Sequence, residues 1–459
     1  MNLKSAKLSL LIIIGYVKRN KIWFATGVAS LILLVVFLTK LSFLYSHSAL
    51  RIGAIGTYQE HDLPEEVTKL ISSGLVKAGE NEKILPSLVS GWEVNNDATS
   101  FKFKLKDNLK WADGTNLKSS DLELNIPNTQ TSFPDDKTIQ FNLKESYSPL
   151  PSLLTKPIFK KGTLIGTGPY RIERIEKSRI FITKITLEAE DPELPVVNIR
   201  FYPNEKVAVT GFNLGEVQAL LGVANPKAIP TNFLVGIKKE IDHSKIVTVL
   251  FQTTDPLLRN RSLRQALSYQ APEVMGEESA NNPYPPNSWA YNKLSKKYLS
   301  NPKEAEEALD RAKSSISDDQ LDSEIILTAT PNLEEVGKAI VGSWKKLGFD
   351  AKLRVESGIP QNFQALLITQ SIPTDPDQYF LWHATQTKTN LTKYDSKRVD
   401  KDLEDGRKII TEEERKEKYF DFQKILLEDA PAIFLYFPKY NIVYLKKVET
   451  LLNKVFLGG

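Results

Sequence analysis

Short segments in which apolar and polar residues alternate occur along the chain after Leu50. Turn residues separate them, and the clearest are RIGAIG at 51–56, FKFKLK at 101–106, TIQFNL at 138–143, IFITKITL at 180–187 and IVTVLFQ at 246–252. An alternation with a period of two is typical of β-strands that bury one face. The pattern therefore predicts strands at these five places.

Apolar residues at helical spacing occur at three places in the second half of the chain, namely 303–312, 332–348 and 411–429. Pro302 precedes the first at a favourable early position, and Gly348 ends the second as a C-cap residue. Thr411 opens the third with Glu414 three residues later, which is the spacing of a capping box. Strands that alternate with such helices predict the α/β class.

The charged run EEERKEK at 412–418 lies inside the third predicted helix. Both signs of charge alternate along it, and no apolar residue interrupts it. We interpret this run as the solvent-facing side of the helix.

The amino terminus has a different apolar pattern. Residues 22–39 carry no charge, and after Lys40 the apolar run continues to Tyr45. This gives the roughly 20 residues that a helix needs to cross a bilayer. A basic cluster precedes the run and none follows it, which predicts a cytoplasmic amino terminus; the cluster is Lys18, Arg19 and Lys21.

We therefore predict a basic or interfacial cytoplasmic segment at 1–21, a single-pass transmembrane anchor at 22–45 and an extracytoplasmic body from Ala49 onward. The body would lie at the plasma membrane, in the periplasm or on the cell surface. A cleaved signal peptide is the alternative, because Ser46 and Ser48 are small residues suitably placed for cleavage before Ala49. The length of the apolar run favours the uncleaved anchor.

The net charge of +4 belongs to the amino terminus and not to the body. Six of the 60 basic residues precede Ser46, which leaves 54 basic against 56 acidic residues. A nucleic-acid surface needs a concentrated positive stripe, so this balance argues against a nucleic-acid partner. The absence of cysteine excludes disulfides, thiolate metal sites and a lipid-modified amino-terminal cysteine.

No motif in the chain indicates catalysis or a cofactor. The four histidines show no metal-ligand spacing; they are His47, His61, His243 and His383. Asp375 and Asp377 flank a proline, and no nucleophile or further acid accompanies them in the sequence. We therefore predict a binding protein with no cofactor and no metal, and an extracytoplasmic hydrolase is disfavoured.

Several segments occur in an order that resembles a known family. They are ISSGLVKAGENEKILPSLVSGWEV at 71–94, DATSFKFKLKDNLKWADGTNLKSSDL at 97–122, GTGPYRI at 166–172, DPLLRNRSLRQALSY at 255–269, PYPPNSWAYN at 283–292, NPKEAEEAL at 301–309 and TDPDQYF at 374–380. Together they are similar to the family 5 solute-binding proteins of dipeptide, oligopeptide and nickel ABC importers.

The resemblance implies a two-lobed periplasmic-binding-protein fold of type II, the Venus flytrap fold, here carried on an amino-terminal transmembrane helix. It implies lobe 1 at 49–247, with a trimmed subdomain at about 90–165, and lobe 2 at 248–433. The last segment, 434–459, would return to lobe 1. The subdomain is trimmed because the chain passes almost directly from Leu122 to the strand at 138–143.

The resemblance also implies a function and a ligand site. The function is capture of peptides or a similar small solute between the lobes and delivery to the transmembrane subunits of an ABC permease. The alternative is an anchored module that senses a ligand or presents a peptide without its own transporter. The implied ligand-binding residues are Thr57, Tyr58, Trp289, Thr369, Gln370, Ile372, Thr374, Asp375, Trp382 and Tyr436.

One position departs from the pattern of the peptide-binding members. Those members place an aspartate a few residues before the Asp-Pro-Asp turn, where it pairs with the α-ammonium group of the ligand. Here Ile372 occupies the position that aligns with it. A buried ammonium group without a countercharge costs several kcal/mol, so Asp375 or Asp377 would have to replace the missing carboxylate.

Overall fold

The computed structural model describes residues 49–226, 229–230, 232–321 and 323–457, together with Ser30. The predicted cytoplasmic segment and, apart from Ser30, the predicted anchor lie outside these residues. Among the described residues, no helix combines the length and the apolar character that a membrane crossing requires.

The described residues form nineteen strands. In chain order they are β1 Leu50–Ile55, β2 Val76–Ala78, β3 Ile84–Pro86, β4 Val89–Val94, β5 Ser100–Leu105, β6 Thr129–Asp135, β7 Thr138–Leu143, β8 Tyr170–Ser178, β9 Phe181–Ala189, β10 Val197–Tyr202, β11 Ala219–Val223, β12 Val235–Ile241, β13 Lys245–Phe251, β14 Glu278–Ser279, β15 Ile325–Ala329, β16 Ala351–Val355, β17 Ala365–Ser371, β18 Ala432–Phe437 and β19 Lys439–Leu445. The five strands predicted from alternation are confirmed as β1, β5, β7, β9 and β13.

The α-helices of the same residues are α1 Glu65–Ile71, α2 Leu150–Leu153, α3 Glu205–Asn213, α4 Arg261–Tyr269, α5 Pro302–Lys313, α6 Asp318–Leu321, α7 Glu334–Lys345, α8 Tyr379–Trp382, α9 Lys397–Lys408, α10 Glu412–Asp429 and α11 Glu449–Leu452. The three helices predicted from spacing are confirmed as α5, α7 and α10. The side chain of Asn301 caps α5, and Gly348 has the left-handed φ of 95° expected after α7.

The predicted capping box of α10 is wrong in detail. The Thr411 hydroxyl contacts the Glu414 carboxylate at 2.5 Å, and the Thr411 side chain accepts no hydrogen bond from the helix backbone.

Lobe 1 is built on a seven-stranded sheet in the order β12-β19-β11-β1-β10-β9-β8. β1 runs parallel to β10 and β11, and the other neighbouring pairs are antiparallel. One face packs against α1 and the carboxyl-terminal residues, and the other packs against α3. The sheet is buried on both faces, which explains why its central strands contain long apolar runs.

A small subdomain is inserted into lobe 1. Its four-stranded antiparallel sheet has the order β4-β5-β7-β6, and the hairpin of β2 and β3 lies beside it. Phe101, Phe103, Phe141 and Trp111 fill its core. Trp111 is 2% exposed, so its side chain serves the packing of the subdomain.

Lobe 2 is built on a six-stranded sheet in the order β14-β18-β13-β17-β15-β16. Helices α4, α5 and α7 cover one face, and α8, α9 and α10 cover the other. Each face has its own apolar core, so lobe 2 is a three-layer α/β unit.

Two short segments join the lobes. Asp242–Ser244 connects β12 of lobe 1 to β13 of lobe 2, and Pro438 connects β18 of lobe 2 to β19 of lobe 1. The family resemblance predicted these crossings at 247/248 and 433/434. The strand pairing instead assigns residues 245–247 and 434–437 to the lobe 2 sheet.

Candidate functional site

The crossings join one edge of the lobe 1 sheet to one edge of the lobe 2 sheet, and the space between these edges is called the cleft. In lobe 1, β12 ends at its crossing, and the pairing β12-β19-β11-β1 puts the carboxyl end of β1 at the same edge. In lobe 2, Lys245 at the start of β13 pairs with Ser371 at the end of β17. Ligands of open α/β sheets bind outside the carboxyl ends of strands, so the segments after β1 and β17 form the candidate site.

Thr57 and Tyr58 follow β1 at this edge. Thr57 is exposed and Tyr58 is half-buried. The Tyr58 hydroxyl donates to the Ile55 carbonyl at 2.9 Å, and its ring lies 5.2 Å from that of Phe201. Burial raises the pKa of the Tyr58 hydroxyl, so the side chain is a neutral donor and acceptor at the floor of the cleft.

The predicted residues of lobe 2 divide between the two faces of its sheet. Tyr436 packs with the core under α4 and α7, and Thr369 lies on that side of β17 and is exposed. Gln370 and Ile372 follow the opposite alternation, and Ile372 packs with the core under α10. Thr374 is half-buried in the loop beyond. The sheet therefore separates Thr369 and Tyr436 from Gln370 and Ile372.

Ile372 lies directly beside one crossing. Its amide donates to the carbonyl of Ser244 at 2.7 Å, and its side chain is 8% exposed. The side chain at this position is apolar. No charge at Ile372 can balance a ligand ammonium group.

Asp375 is not free to take over that role. Its two carboxylate oxygens accept from Arg415 at 2.5 and 3.0 Å, and both side chains are buried. The Tyr419 hydroxyl lies 2.8 Å from the same guanidinium group, and the Trp289 ring lies 5.3 Å from it. The carboxylate of Asp375 is therefore neutralised within lobe 2.

Asp377 is also paired within the protein. Its carboxylate lies 2.9 Å from Arg407 Nε, and the Arg407 guanidinium stacks 4.1 Å from the ring of Tyr379. Burial raises the pKa of Asp377 to about 6. The positive charge of Arg407 acts to lower this pKa, and the negative charge of Asp375 acts to raise it. Both carboxylates of the Asp-Pro-Asp turn are thus held by ion pairs within lobe 2.

The two predicted tryptophans have different environments. Trp289 is half-buried and lines a cavity between the lobes. Trp382 is 2% exposed, lies in the lobe 2 core and donates its indole N–H to Gln378 Oε1 at 2.8 Å. Its ring packs against Phe434 of the lobe 2 sheet, and its role as a lining residue stays a prediction.

The cavity beside Trp289 has a volume of about 190 Å³. The subdomain contributes one wall and lobe 2 the other; the lining residues are Lys83, Ile84, Trp92, Val94, Phe101, Ser148, Pro149, Pro151, Ser152, Trp289, Asp375, Ile410, Glu412 and Arg415. Aromatic and aliphatic faces surround the internally paired Asp375 and Arg415. Such a lining suits an apolar group with a few polar contacts.

A larger groove of about 830 Å³ lies elsewhere, between the subdomain and the rest of lobe 1. All of its lining residues belong to lobe 1; they fall at 60–61, 123–126, 153–154, 156–164 and 175. Because lobe 2 contributes nothing to this groove, closure of the lobes cannot enclose a ligand there. Size alone therefore does not identify the functional site.

The lobes touch at the tip of the β2–β3 hairpin. Lys83 Nζ lies 2.9 Å from Glu412 Oε1, and the Trp289 amide donates to the Asn81 carbonyl at 3.2 Å. A second contact joins the Ser148 amide to the Arg407 carbonyl at 2.7 Å. These bonds join the subdomain directly to lobe 2.

Glu82 lies at the same hairpin tip. Burial raises the pKa of its carboxyl to about 7, while a hydrogen bond with Ser288 of lobe 2 acts in the opposite direction. Glu82 and Lys83 are not recognisable as site residues from the sequence, because charged residues at a hairpin tip have no distinctive spacing.

The interpretation of residues 412–418 as a solvent-facing run is wrong for one residue. Arg415 is 6% exposed, and its guanidinium group donates to the Tyr419 hydroxyl at 2.8 Å. Glu412, at the start of the run, lines the interlobe cavity. The charge of Arg415 is compatible with burial because Asp375 supplies two hydrogen bonds. Its partner is 40 residues away, so the run itself carries no signal of this contact.

The described residues contain no group of three or more histidine and carboxylate side chains arranged to hold a metal ion. His243 instead pairs with Glu278 at 2.8 Å, and His383 with Glu404 at 3.2 Å. Both histidines have structural partners within or beside lobe 2.

Comparison with known proteins matches residues 83–391 to the bacterial extracellular solute-binding proteins, family 5. The chain is 24% identical to the oligopeptide-binding protein AppA of Bacillus subtilis, over 87% of this chain and 88% of that protein. Among solved structures, the substrate-binding protein CtaP of Listeria monocytogenes has a TM-score of 0.72 at 18% identity, over 86% of this chain and 94% of that one.

NikZ of Campylobacter jejuni, solved with Ni(L-His), has a TM-score of 0.67 at 22% identity, over 87% of this chain and 94% of that one. These structures share the two-lobed α/β fold described above, and the family match covers more than half of the chain. The resemblance predicted from the ordered motifs is confirmed. The chain belongs to the bacterial extracellular solute-binding proteins of family 5, which are binding proteins and not enzymes.

Proposed function

We propose that this protein is a membrane-anchored solute-binding protein that captures a peptide or a similar small solute and delivers it to an ABC permease. The observation that carries the proposal is the pair of crossings, Asp242–Ser244 and Pro438, which join two α/β lobes at the edge where candidate binding segments meet. The names of relatives support the solute class, since they include oligopeptide-binding and dipeptide-binding proteins.

Closure of the lobes would signal that a solute is bound. A ligand shifts an open–closed equilibrium only by its differential affinity for the two states. The contacts Lys83–Glu412 and Ser148–Arg407 join the lobes directly and would be lost on opening. They stabilise the closed form, and a solute that touches both lobes adds to them.

The charges of the site bear on how the solute is held. Ile372 is apolar, and Asp375 and Asp377 are paired with Arg415 and Arg407. A ligand ammonium group placed there would meet no free carboxylate among the predicted lining residues. We infer that recognition uses main-chain groups of the solute and apolar contacts such as that with Trp289.

The anchor belongs to the proposal as well. Residues 22–45 provide the apolar length, and the basic residues before them favour a cytoplasmic amino terminus. An anchor would keep the body on the extracytoplasmic side close to its permease. This replaces the lipid-modified cysteine that a chain without cysteine cannot carry.

The proposal is tested by native mass spectrometry of the full chain extracted gently from its host membrane. We expect a co-purified small solute, and we expect cells that lack the protein to lose uptake of that solute. Uptake that persists at its normal rate, with the solute still bound to the purified protein, would favour the ligand-sensing or peptide-presenting alternative. A chain that carries and accepts no peptide or other small solute contradicts both.

A further inference from the structure

The end of lobe 1 opposite the cleft carries an unusual set of exposed residues. This end is defined by the start of β1, where the Leu50 amide donates to the Val196 carbonyl at 2.8 Å. The Gln218 amide donates to the Arg51 carbonyl at 2.7 Å, and the Leu445 amide donates to the Gln218 carbonyl at 2.9 Å. These bonds bring the start of β11 and the end of β19 to the start of β1.

Three large apolar side chains are exposed at this end. Phe233 is 82% exposed and Leu234 is 55% exposed, and the Lys446 amide donates to the Leu234 carbonyl at 2.8 Å. Leu214 is 74% exposed at the end of α3, four residues before Gln218. Strands lie about 4.8 Å apart, so the three residues fall within about 15–20 Å of the start of β1.

Basic residues accompany these apolar ones. Lys446 and Lys447 are exposed, and neither forms an ion pair with a carboxylate in the part of the chain that the structure describes. The acidic loop at 190–193 joins β9 to β10 at this same end, on the opposite side of β1 from the lysines, and its Glu193 pairs with Lys454 at 3.6 Å. We call Leu214, Phe233, Leu234, Lys446 and Lys447 the basal patch.

The position of the proposed anchor determines what this patch faces. The apolar run ends at Tyr45, and β1 begins at Leu50 with that residue fully buried. Residues 46–48 span at most about 10 Å. β1 extends about 20 Å from this end to the cleft. The anchor therefore holds the basal patch, and not the cleft, next to the bilayer.

We propose that the basal patch rests on the anionic phospholipid surface of the membrane that the anchor crosses. Apolar side chains that enter the headgroup region and lysines that attract anionic lipids together give interfacial binding. In this pose lobe 2 points away from the membrane, and the body must tilt before the cleft can meet a permease. The inference rests on the anchor in the proposed function.

Site-directed spin labelling tests the proposal, because the chain contains no cysteine of its own. Phe233→Cys and Leu214→Cys each place one label in the basal patch of the full chain. Leu294→Cys is the matched control, since Leu294 is 95% exposed in lobe 2. The chains are inserted into vesicles of phosphatidylglycerol and phosphatidylethanolamine, and into vesicles of phosphatidylcholine.

We expect the spin labels at positions 233 and 214 to be more accessible to oxygen than the label at position 294. The same two labels should be less accessible to a water-soluble nickel chelate. The difference should be larger in the phosphatidylglycerol vesicles. The double variant Lys446→Glu with Lys447→Glu should lower the population of chains in contact with the membrane by about tenfold or more, because two groups that attract anionic lipids then repel them.

Three results overturn the proposal and can be told apart. If the chain fails to float with vesicles, the anchor and the basal patch are both wrong. If it floats but labels at 233 and 214 behave like the label at 294, the anchor stands and the patch alone is wrong. Spin–spin broadening between labels at 233, without oxygen enrichment, shows that a second copy of the chain covers the patch.

Discussion

Arg415 and Asp375 form a buried two-point ion pair in the wall of lobe 2 that faces the subdomain, with N–O distances of 2.5 and 3.0 Å. The pair fixes the start of α10 to the Asp-Pro-Asp turn, two elements that are 40 residues apart. It also occupies one of the two carboxylates, Asp375 and Asp377, that would have to supply the charge missing at Ile372. Its role is therefore to order the cleft wall.

Replacement of Arg415 by methionine should destabilise the protein strongly. It leaves the Asp375 carboxylate buried without its counterion, which typically costs about 3–5 kcal/mol of unfolding free energy. Chemical denaturation of the full chain in detergent measures the change. The double variant Arg415→Met with Asp375→Asn should recover much of the loss.

Arg398→Met is the matched control for this prediction. Arg398 lies on α9 and pairs with Asp421 at 3.5 Å, and both side chains are mostly exposed. Removal of an exposed pair should change the unfolding free energy by less than about 1 kcal/mol. Equal losses at Arg415 and Arg398 would contradict the role of the buried pair.

Acetylation of a peptide's amino terminus should have little effect on its binding. Ile372 carries no charge, and the carboxylates of Asp375 and Asp377 are already paired with arginines. Calorimetry with a bound peptide and its acetylated form should give dissociation constants that agree within about a factor of ten, or about 1.4 kcal/mol. A much larger loss on acetylation would mean that another acid holds the ammonium group.

Closure should weaken as the pH rises from about 4.3 to about 7. In the closed form burial raises the pKa of Glu82 to about 7, with a further increase from Asp375 and opposition from the Ser288 hydrogen bond and His243. In the open form the carboxyl returns toward its ordinary pKa of about 4.3. Between these values only the open form loses its proton, so the contribution of Glu82 to closure is present at low pH and lost on ionisation.

Solute affinity measured between about pH 5 and pH 8 checks this dependence. Glu82→Gln should remove the part of the pH dependence that Glu82 causes and keep the affinity high at the upper end. The control is Glu80→Gln, because Glu80 is exposed two residues away on the same hairpin tip. A pH profile that Glu82→Gln leaves unchanged would contradict the assignment.

Reversal of one charge in the Lys83–Glu412 pair should open the cleft slightly. The side chains are 51% and 35% exposed, so the pair contributes less than about 1 kcal/mol to closure. Lys83→Glu and Glu412→Lys should each reduce the closed population at low salt, and the double reversal should restore it. Energy transfer between dyes on the subdomain and on lobe 2 reports that population.

The control for this reversal is Lys69→Glu, which breaks the exposed pair with Glu65 on α1 within lobe 1. It should leave the closed population unchanged. If the double reversal is as open as each single variant, Lys83 and Glu412 do not act as a pair across the cleft.

The local elements of this fold were predictable from the sequence because local contacts specify them. The Asn301 side chain accepts from the Glu304 amide and sets the start of α5. Gly348 ends the α7 segment through its own backbone conformation. The alternation in β5 and β7 buries Phe101, Phe103 and Phe141 on one face.

The crossings were placed several residues from their positions for a physical reason. β18 and β19 are separated by Pro438 alone, so the sequence AIFLYFPKYNIVYL at 432–445 has the apolar character of one continuous strand. Only the pairing of β18 with β13 and of β19 with β11 and β12 shows that the chain changes sheets there.

The candidate site was predictable only in part. The order of motifs brought Thr57, Tyr58 and the 369–374 segment to the cleft edge, because family topology fixes which strand ends meet. The environments of Trp289 and Trp382 could not be told apart, since both follow polar or proline-rich segments. Arg407 and Arg415 were missed because their partners, Asp377 and Asp375, are distant in sequence.

Small-angle X-ray scattering of residues 49–459 tests the central claim most directly. The solute that co-purifies with the full chain is added while calorimetry records its binding. We predict that the radius of gyration falls as the site fills, because the lobes rotate about Asp242–Ser244 and Pro438 to enclose the solute. A radius that stays unchanged while the solute is demonstrably bound would contradict the account of a two-lobed trap.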